Sequence, residues 1–148
     1  MVISKFQGDY RFLSNFYSVA FFIGKYEYPS VEHYFQSEKT SDTTEKENII
    51  AASTAKQAKI LGRKCKMRRN WNELRYDIMR KGVFEKFNQN RILKQKLLKM
   101  DYFLIEGNTW HDNIWGVCFC NNCPGYGQNL LGTILMEVRS ELWSLSNS

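Results

Sequence analysis

The sequence predicts one mainly helical α+β domain over residues 1–148, with a small hairpin and strand region near its N-terminal end. The chain has 148 residues, which is the usual size of a single domain. Hydrophobic residues make up 43% of it and aromatic residues 15%, which favours a folded core over a disordered chain. Helix-capping signals precede several amphipathic stretches, and no repeat or low-complexity linker separates them.

The first 30 residues are expected to be extended. Residues 19–23 and 26–28 are rich in aromatic and β-branched side chains, and Gly24-Lys25 lies between them. This pattern predicts a short hairpin in which Gly24 permits the turn. Pro29-Ser30 then predicts a helix start, with Ser30 as the N-cap of a helix that carries Glu32 to Lys39.

Two capping patterns predict the next two helices. Residues 42–45, Asp-Thr-Thr-Glu, come close to a capping box and open a helix to about Ala51. Residues 54–57, Thr-Ala-Lys-Gln, match the box, and we expect Gly62 to end that helix as its C′ residue.

The second half of the chain is predicted to contain three more helices and a strand. Residues 70–88 and 91–100 have helical spacing, and residues 102–106 predict a short strand before a long loop, 107–128. Asn129 is then the predicted N-cap of the last helix. The apolar face of that helix consists of Leu130, Leu131, Ile134, Leu135, Val138, Leu142 and Leu145.

The formal charge is +6 and the pI is near 9.2, so the surface should attract anions. Nucleic acids, nucleotides and sugar phosphates are all anionic ligands that this charge would attract, and the charge alone does not distinguish among them. The N-terminal segment lacks signal-peptide features, and no apolar run approaches the roughly 20 residues that span a bilayer. We therefore expect a cytoplasmic protein without membrane association, whose four cysteines are thiols or metal ligands rather than disulfides.

The segment YPSVEHYFQSEK, residues 28–39, places Glu32, Gln36 and Lys39 on nearly one ridge of the predicted helix. Two interpretations of this ridge remain open. Glu32 could merely compensate the helix dipole and Lys39 could be a solvated surface residue. Alternatively, a carboxylate and an amine face a substrate together.

The predicted loop 107–128 is longer than ordinary connections, and such loops are often functional. Glu106 and Asp112 supply carboxylates, and Trp110 and Trp115 are good platforms for a planar base. Residues 125–129 lead into a helix N-terminus whose free N–H groups would suit a phosphate. Asp112 could instead be a turn residue that bonds its own backbone.

The cysteines of this loop allow two interpretations. Cys118, Cys120 and Cys123 form a C-x-C-x-x-C pattern, and His111 could complete a Cys₃His zinc site. The spacing is tight and lacks a second ligand pair at ordinary distance, so free thiols without a metal are the default prediction. His33 and His111 are expected to satisfy local hydrogen bonds rather than to ligate a metal, and neither is assigned a catalytic role.

Several blocks of the sequence resemble the NADAR family of YbiA-like domains, in the same order from Phe12 to about Leu142. The blocks are FLSNFY (12–17), EHYFQSEK (32–39), GR (62–63), Trp71 with Arg75, KFNQN (86–90), EGNTWHDNIWG (106–116) and GQNLLGTILMEVR (127–139).

This resemblance implies hydrolysis of N-glycosidic bonds at a ribose. Similar members cleave phosphoribosylamino-pyrimidine intermediates of riboflavin synthesis, or remove ADP-ribose from guanine. The catalytic residues that the resemblance implies are Glu32, Lys39, Glu106 and Asp112. The implied substrate contacts are Arg11, Asn15, Phe16, Gln36, Asn108, Trp110, Trp115, Gly116 and Asn129.

These residue types suit that reaction. Breaking the ribose C1–N bond builds positive charge on the sugar, which a nearby carboxylate stabilises, and a carboxylate can also activate the attacking water. A neutral Lys39 amine could instead exchange into a ring-opened imine as a Schiff base, which requires a depressed pKa and hence burial. We expect the four catalytic candidates to share one cavity around the anomeric carbon.

The sequence therefore predicts an N-glycoside hydrolase that acts on a ribosylated or phosphoribosylated base without an organic cofactor. Its partner is a small-molecule nucleotide or phosphoribosyl substrate. ADP-ribosylated nucleic acid is a further candidate, which the basic run at residues 64–69 could steer, although a solvated patch is the simpler interpretation. The alternative function is a module that binds ADP-ribose or a nucleotide without cleaving it. The substrate and the oligomeric state stay open at this point.

Overall fold

A computed structural model describes all 148 residues and confirms the predicted α+β fold class. The six α-helices, α1 to α6, are Val31–Ser37, Thr43–Ile50, Ala55–Lys64, Trp71–Gln89, Arg91–Leu98 and Leu130–Ser146. The six strands, β1 to β6, are Val2–Ile3, Phe21–Ile23, Tyr26–Tyr28, Phe103–Leu104, Gly107–Asn108 and Val117–Cys118. No helix combines the length and the apolar character that crossing a membrane requires.

The chain folds as two units, each with its own short strand pairs. The first unit combines residues 1–14 with residues 91–148, and the second consists of residues 15–90. In the first unit β1 pairs with β4 and β5 with β6, both in parallel. In the second unit β2 and β3 pair antiparallel.

The predicted hairpin is confirmed. Phe21 lies opposite Tyr28 across β2 and β3, and Gly24 adopts the left-handed conformation, with φ of 60°, that the connecting turn requires. The Gln89 side chain, at the end of α4, donates to the Phe22 carbonyl (2.7 Å) and accepts from the Phe22 N–H (2.8 Å). The hairpin is therefore tied to the last turn of α4.

The second unit is organised around α1, which packs against α2, α3 and α4. All seven residues of α1 are buried, including its polar ones. Helix α4 approaches α1 closely because Gly82 has no side chain, and the Tyr34 ring occupies the space that a Cβ would take. Tyr34 in turn packs edge-on against Tyr28, with ring centroids 5.1 Å apart.

The three predicted N-caps of the second unit are confirmed. Ser30 accepts a hydrogen bond from the His33 N–H, and Asp42 accepts one from the Glu45 N–H. At α3, Thr54 accepts from the Gln57 N–H in the same way. Local sequence signals thus located these helix starts correctly.

Two predicted helix ends are wrong. Helix α1 ends at Ser37, and Lys39 follows in a turn in which its N–H donates to the Gln36 carbonyl. Helix α3 does not end at Gly62 but continues to Lys64. Gly62 is buried within α3 because the Gln36 side chain lies where a Cβ would be, so packing rather than helix termination requires glycine there.

The first unit is built on α6, which packs against β4 and α5. The predicted apolar face of α6 is largely confirmed, since Leu131, Ile134, Leu135, Val138 and Leu142 are buried. Leu145, however, is 56% exposed. Residues 8–13 form a 3₁₀ helix where an extended segment was expected, and its last two residues, Phe12 and Leu13, are buried.

Candidate active site

Glu32 lies in the first turn of α1 and is only 7% exposed, so its carboxylate is largely removed from solvent. Its Oε1 accepts a 2.7 Å hydrogen bond from Gln36 Nε2, one helical turn away. A buried carboxylate is costly unless its oxygens are bonded or it serves a reaction. Compensation of the helix dipole alone would not require that burial.

Gln36 is oriented by its partner. A carboxylate only accepts hydrogen bonds, so the Gln36 amide must turn its nitrogen toward Glu32 and its oxygen away. That oxygen, Oε1, is buried against Gly62 without a hydrogen-bond partner. Gln36 thereby holds the Glu32 carboxylate in one orientation, at the cost of an unsatisfied acceptor.

The segment before the hairpin positions the backbone of Glu32. The Asn15 carbonyl accepts a 3.0 Å hydrogen bond from the Glu32 N–H, and Asn15 Nδ2 lies 3.3 Å from Met79 Sδ. Phe16 is 45% exposed, and Lys59 Nζ lies 5.8 Å from the centre of its ring. Phe16 is thus an accessible aromatic face beside a cation.

Lys39 has the property that the imine route requires. Burial lowers the pKa of its amine below the ordinary 10.5, while the Glu32 carboxylate acts in the opposite direction. Lys39 Nζ lies 5.9 Å from the centre of the Phe35 ring. Lys39 is therefore partly shielded and within electrostatic reach of Glu32, as the ridge pattern suggested.

Arg68 holds the segment that carries Lys39. The Arg68 N–H donates to the Lys39 carbonyl at 2.7 Å. Its side chain donates to the Glu38 carbonyl at 2.8 Å and to Glu38 Oε2 at 2.9 Å. Lys46 binds the other carboxylate oxygen of Glu38. Sequence reasoning missed this role of Arg68, because a partner 30 positions away leaves no local signal.

His33 satisfies local hydrogen bonds, as predicted. It is 3% exposed, and its ring nitrogens lie 2.7 Å from Ser30 Oγ and 2.9 Å from the Ala52 carbonyl. Burial lowers the pKa of the imidazole. Trp71 is buried against Phe35, with ring centroids 5.0 Å apart, and so belongs to the core.

In the first unit, the 107–128 loop is organised by Asn108. Its Oδ1 accepts from the N–H groups of Trp110 (3.2 Å) and Asp112 (3.1 Å). Its Nδ2 donates to the Asp112 carbonyl at 2.7 Å. Asn108 is 5% exposed, so its observed contacts hold the loop backbone together.

Asp112 adopts the turn geometry that was weighed against a catalytic role. Its Oδ1 accepts hydrogen bonds from the N–H groups of Ile114 (3.2 Å) and Trp115 (3.0 Å). These bonds fix the turn that presents Trp115, which is half-buried. Trp110, in contrast, is 60% exposed.

Asn129 is the N-cap residue of α6, as predicted, but its side chain does not cap the helix. Asn129 precedes α6 in a left-handed conformation, with φ of 54°, and makes no capping bond with its side chain. Instead its Oδ1 accepts from the Glu106 N–H (3.0 Å) and its Nδ2 donates to the Leu104 carbonyl (2.9 Å). Asn129 therefore fixes the backbone that carries Glu106.

The first two N–H groups of α6 are not free for a phosphate, because loop carbonyls accept their hydrogen bonds. The Leu130 N–H donates to the Ile114 carbonyl, and the Leu131 N–H donates to the Trp115 carbonyl. Next to them, Gly116 has no room for a side chain, since the Glu106 carbonyl and side chain occupy that space. Glu106 is thus held between Asn129 and Gly116.

Arg11, another predicted substrate contact, is exposed on the 3₁₀ helix of the first unit. The same unit also brings together His111 and the three loop cysteines. Each set of candidates is therefore ordered within its own unit. The prediction that all four catalytic candidates share one cavity stays a prediction.

A family model described as the NADAR domain matches residues 3–143, which is nearly the whole chain. The chain belongs to the NADAR family. This finding confirms the family that the sequence blocks indicated.

Curated relatives agree with this assignment. N-glycosidase YbiA of Escherichia coli is 33% identical over 136 residues, which are 90% of this chain and 82% of that protein. N-glycosidase Npun_R5314 of Nostoc punctiforme is 35% identical, over 92% of this chain and 88% of that protein. The riboflavin biosynthesis protein VVA0006 of Vibrio vulnificus is 36% identical over 90% of this chain, which spans only 36% of that longer protein.

The NMR structure of the E. coli protein YbiA has the same fold. It superposes with a TM-score of 0.85 at 31% sequence identity, covering 100% of this chain and 87% of that chain. With relatives named N-glycosidases aligned over most of their length, this NADAR chain is an enzyme of the hydrolase class that acts on N-glycosyl compounds.

Proposed function

We propose that this NADAR protein hydrolyses the bond between ribose C1 and the amino nitrogen of a phosphoribosylamino-pyrimidine, an intermediate of riboflavin synthesis. The observation that carries the proposal is the buried pair on α1, in which Gln36 donates a hydrogen bond to Glu32, together with Lys39, whose pKa burial lowers and the Glu32 carboxylate raises. The name of the Vibrio relative, a riboflavin biosynthesis protein, favours this substrate. The charge of +6 suits its phosphate.

Glu32 stabilises the positive charge that develops on the ribose as the C1–N bond breaks. The effect is strong because the carboxylate is buried and already oriented by Gln36. In the overall reaction, water supplies a hydroxyl to C1 and a proton to the leaving nitrogen. Orientation of that water is the second task that a carboxylate can perform.

Lys39 is proposed to act in one of two ways. Its neutral amine can attack C1 of the ring-opened imine, release the pyrimidine amine and then lose the sugar to water. Its protonated form can instead bind the phosphate or the ribose hydroxyls. The lowered pKa favours the first route, because it increases the fraction of neutral amine at a given pH.

Glu106 and Asp112 are proposed as further catalytic acids on the basis of the family resemblance. The contacts support a catalytic role more strongly for Glu106 than for Asp112. Asn129 bonds the Glu106 backbone, and the Glu106 side chain packs against Gly116, so its position is defined. For Asp112 the two turn hydrogen bonds support a role in positioning Trp115. Glu106→Gln and Asp112→Asn test these roles. Turnover measurements of the two variants separate a catalytic acid from a residue that only positions Trp115.

ADP-ribosylated guanine is a second candidate substrate. It carries an additional adenine, and Trp110, at 60% exposure, offers an aromatic face on which a base can stack. Chromatography after incubation with each substrate distinguishes the two. Ribose 5-phosphate with a diaminopyrimidine supports the first substrate, and ADP-ribose with free guanine product supports the second.

The role of Glu32 is tested by Glu32→Gln, which keeps the size of the side chain and removes its charge. We expect turnover to fall by about 10²–10³-fold with little change in substrate affinity. The control is Glu73→Gln, because Glu73 also lies in the first turn of a helix but is exposed. If Glu32→Gln weakens binding and neither substrate is cleaved by the wild type, the protein is a binding module instead.

A further inference from the structure

Four metal-binding side chains converge in the 107–128 loop of the first unit. Their ligand atoms, one per residue, all lie within 4.8 Å of one another. We call this group the loop cluster; its members are His111, Cys118, Cys120 and Cys123. The Cys118 side chain is buried, Cys120 and Cys123 are half-buried, and His111 is exposed.

The distances within the loop cluster match those of a tetrahedral metal site. His111 Nδ1 lies 3.3 Å from Cys123 Sγ, 3.6 Å from Cys120 Sγ and 3.9 Å from Cys118 Sγ. With Zn–S bonds of about 2.3 Å and a Zn–N bond of about 2.0 Å, a tetrahedron places the nitrogen about 3.5 Å from each sulfur. The imidazole nitrogen therefore lies from each sulfur at about the distance that a shared zinc ion requires.

The backbone is shaped to bring these ligands together, although their spacing in sequence is tight. Strands β5 and β6 run side by side, and the Phe119 N–H donates to the Asn108 carbonyl at 2.8 Å. The segment that begins at Asn108 thus places His111 beside Cys118. His111 itself has a φ of 67°, an uncommon left-handed conformation for a residue other than glycine.

A tight turn supplies the other two sulfurs. The Cys123 N–H donates to the Cys120 carbonyl at 3.1 Å, which folds residues 120–123 back on themselves.

We propose that the loop cluster binds one zinc ion as a Cys₃His structural site. Three thiolates and an imidazole are a soft ligand set that suits tetrahedral zinc, and four protein ligands leave no open position for catalysis. The ion would join the segment after β5 to the segment after β6. It would thereby fix the loop that carries Trp110, Asp112 and Trp115.

The first test measures zinc in the full chain, purified under reducing conditions without a histidine tag. We expect about one zinc ion per chain, retained after dialysis. Cys123→Ser and Cys120→Ser should lose the ion. Cys65→Ser is the matched control, because Cys65 lies at the end of α3 in the other unit, and it should keep the ion.

A second measurement avoids the risk that a cysteine variant fails to fold. The native wild-type chain is treated with an alkylating reagent, before and after zinc is removed by a chelator, and modified cysteines are identified by mass spectrometry. Zinc should protect the three cluster cysteines and leave the reactivity of Cys65 unchanged. Equal modification with and without zinc, a bound iron ion in place of zinc, or zinc retained by both Ser variants would overturn the proposal.

Discussion

At Lys39, burial and a nearby carboxylate act on the same amine in opposite directions. Burial is the larger effect and lowers its pKa, while Glu32 raises it. The amine therefore loses its proton at a lower pH than an exposed lysine does. If neutral Lys39 is the nucleophile, the reaction rate should increase as the pH rises toward this lowered pKa and level off above it.

Lys39→Arg tests this expectation. Arginine stays protonated at all accessible pH values and cannot form an imine, so turnover should fall by at least about 10²-fold and the rise of rate with pH should disappear. The measurement is kcat against pH for both proteins, together with borohydride trapping of the wild type with substrate. Lys56→Arg, an exposed lysine on α3, is the control. A Lys39→Arg protein with the wild-type pH profile contradicts the nucleophile role.

Two asparagines show how a residue predicted to contact substrate can instead organise the site. Asn108 bonds four backbone groups of its loop, and Asn129 bonds the backbone on either side of Ile105. Both are buried, and both use their amide oxygen and nitrogen on the protein itself.

At the scale of elements, the approach of α3 to α1 determines where Gln36 lies. Gly62 leaves space in α3, and the Gln36 side chain fills it while its nitrogen reaches Glu32. A change in α3 should therefore alter the carboxylate on α1 without touching any catalytic candidate. This dependence gives a test that is separate from direct substitution of Glu32.

Gly62→Ala is expected to lower activity. Alanine favours a helix over glycine by up to about 1 kcal/mol, but its methyl group would collide with Gln36, and overpacking costs about 1–3 kcal/mol. Gln36 should shift away from Glu32, so kcat should fall about 10-fold, with the free energy of unfolding unchanged or reduced.

The double variant Gly62→Ala/Gln36→Ala is the control for this prediction. It removes the collision, so its unfolding midpoint in urea should exceed that of Gly62→Ala, whereas its activity should stay low because Glu32 has lost its partner. Wild-type activity in Gly62→Ala would show that Gln36 does not orient Glu32.

At the scale of the whole molecule, the charge of +6 should attract anionic substrates. Raising the salt concentration from about 0.05 M to 0.5 M shortens the screening length severalfold. We expect kcat/KM for a phosphoribosyl substrate to fall over this range, and kcat/KM for the dephosphorylated nucleoside analogue to change little. An equal response of both substrates would exclude steering by charge.

Local signals in the sequence determined the helix starts at Ser30, Asp42 and Thr54, as well as the hairpin turn at Gly24. Each of these features depends on groups within a few residues of one another, so a short stretch contains the whole physical cause. The motif blocks likewise determined the family, which the family model confirms.

Only the tertiary structure decided which contacts form between segments that are distant in the chain. Gly62 was predicted to end a helix, and it proved to be a contact point for Gln36, 26 positions earlier. Arg68 binds Glu38 across 30 positions. The sequence offered His111 and the three cysteines as one possible site, but only the structure shows that a parallel strand pair brings them together. Burial and close approach arise when distant segments pack, and no local pattern contains that information.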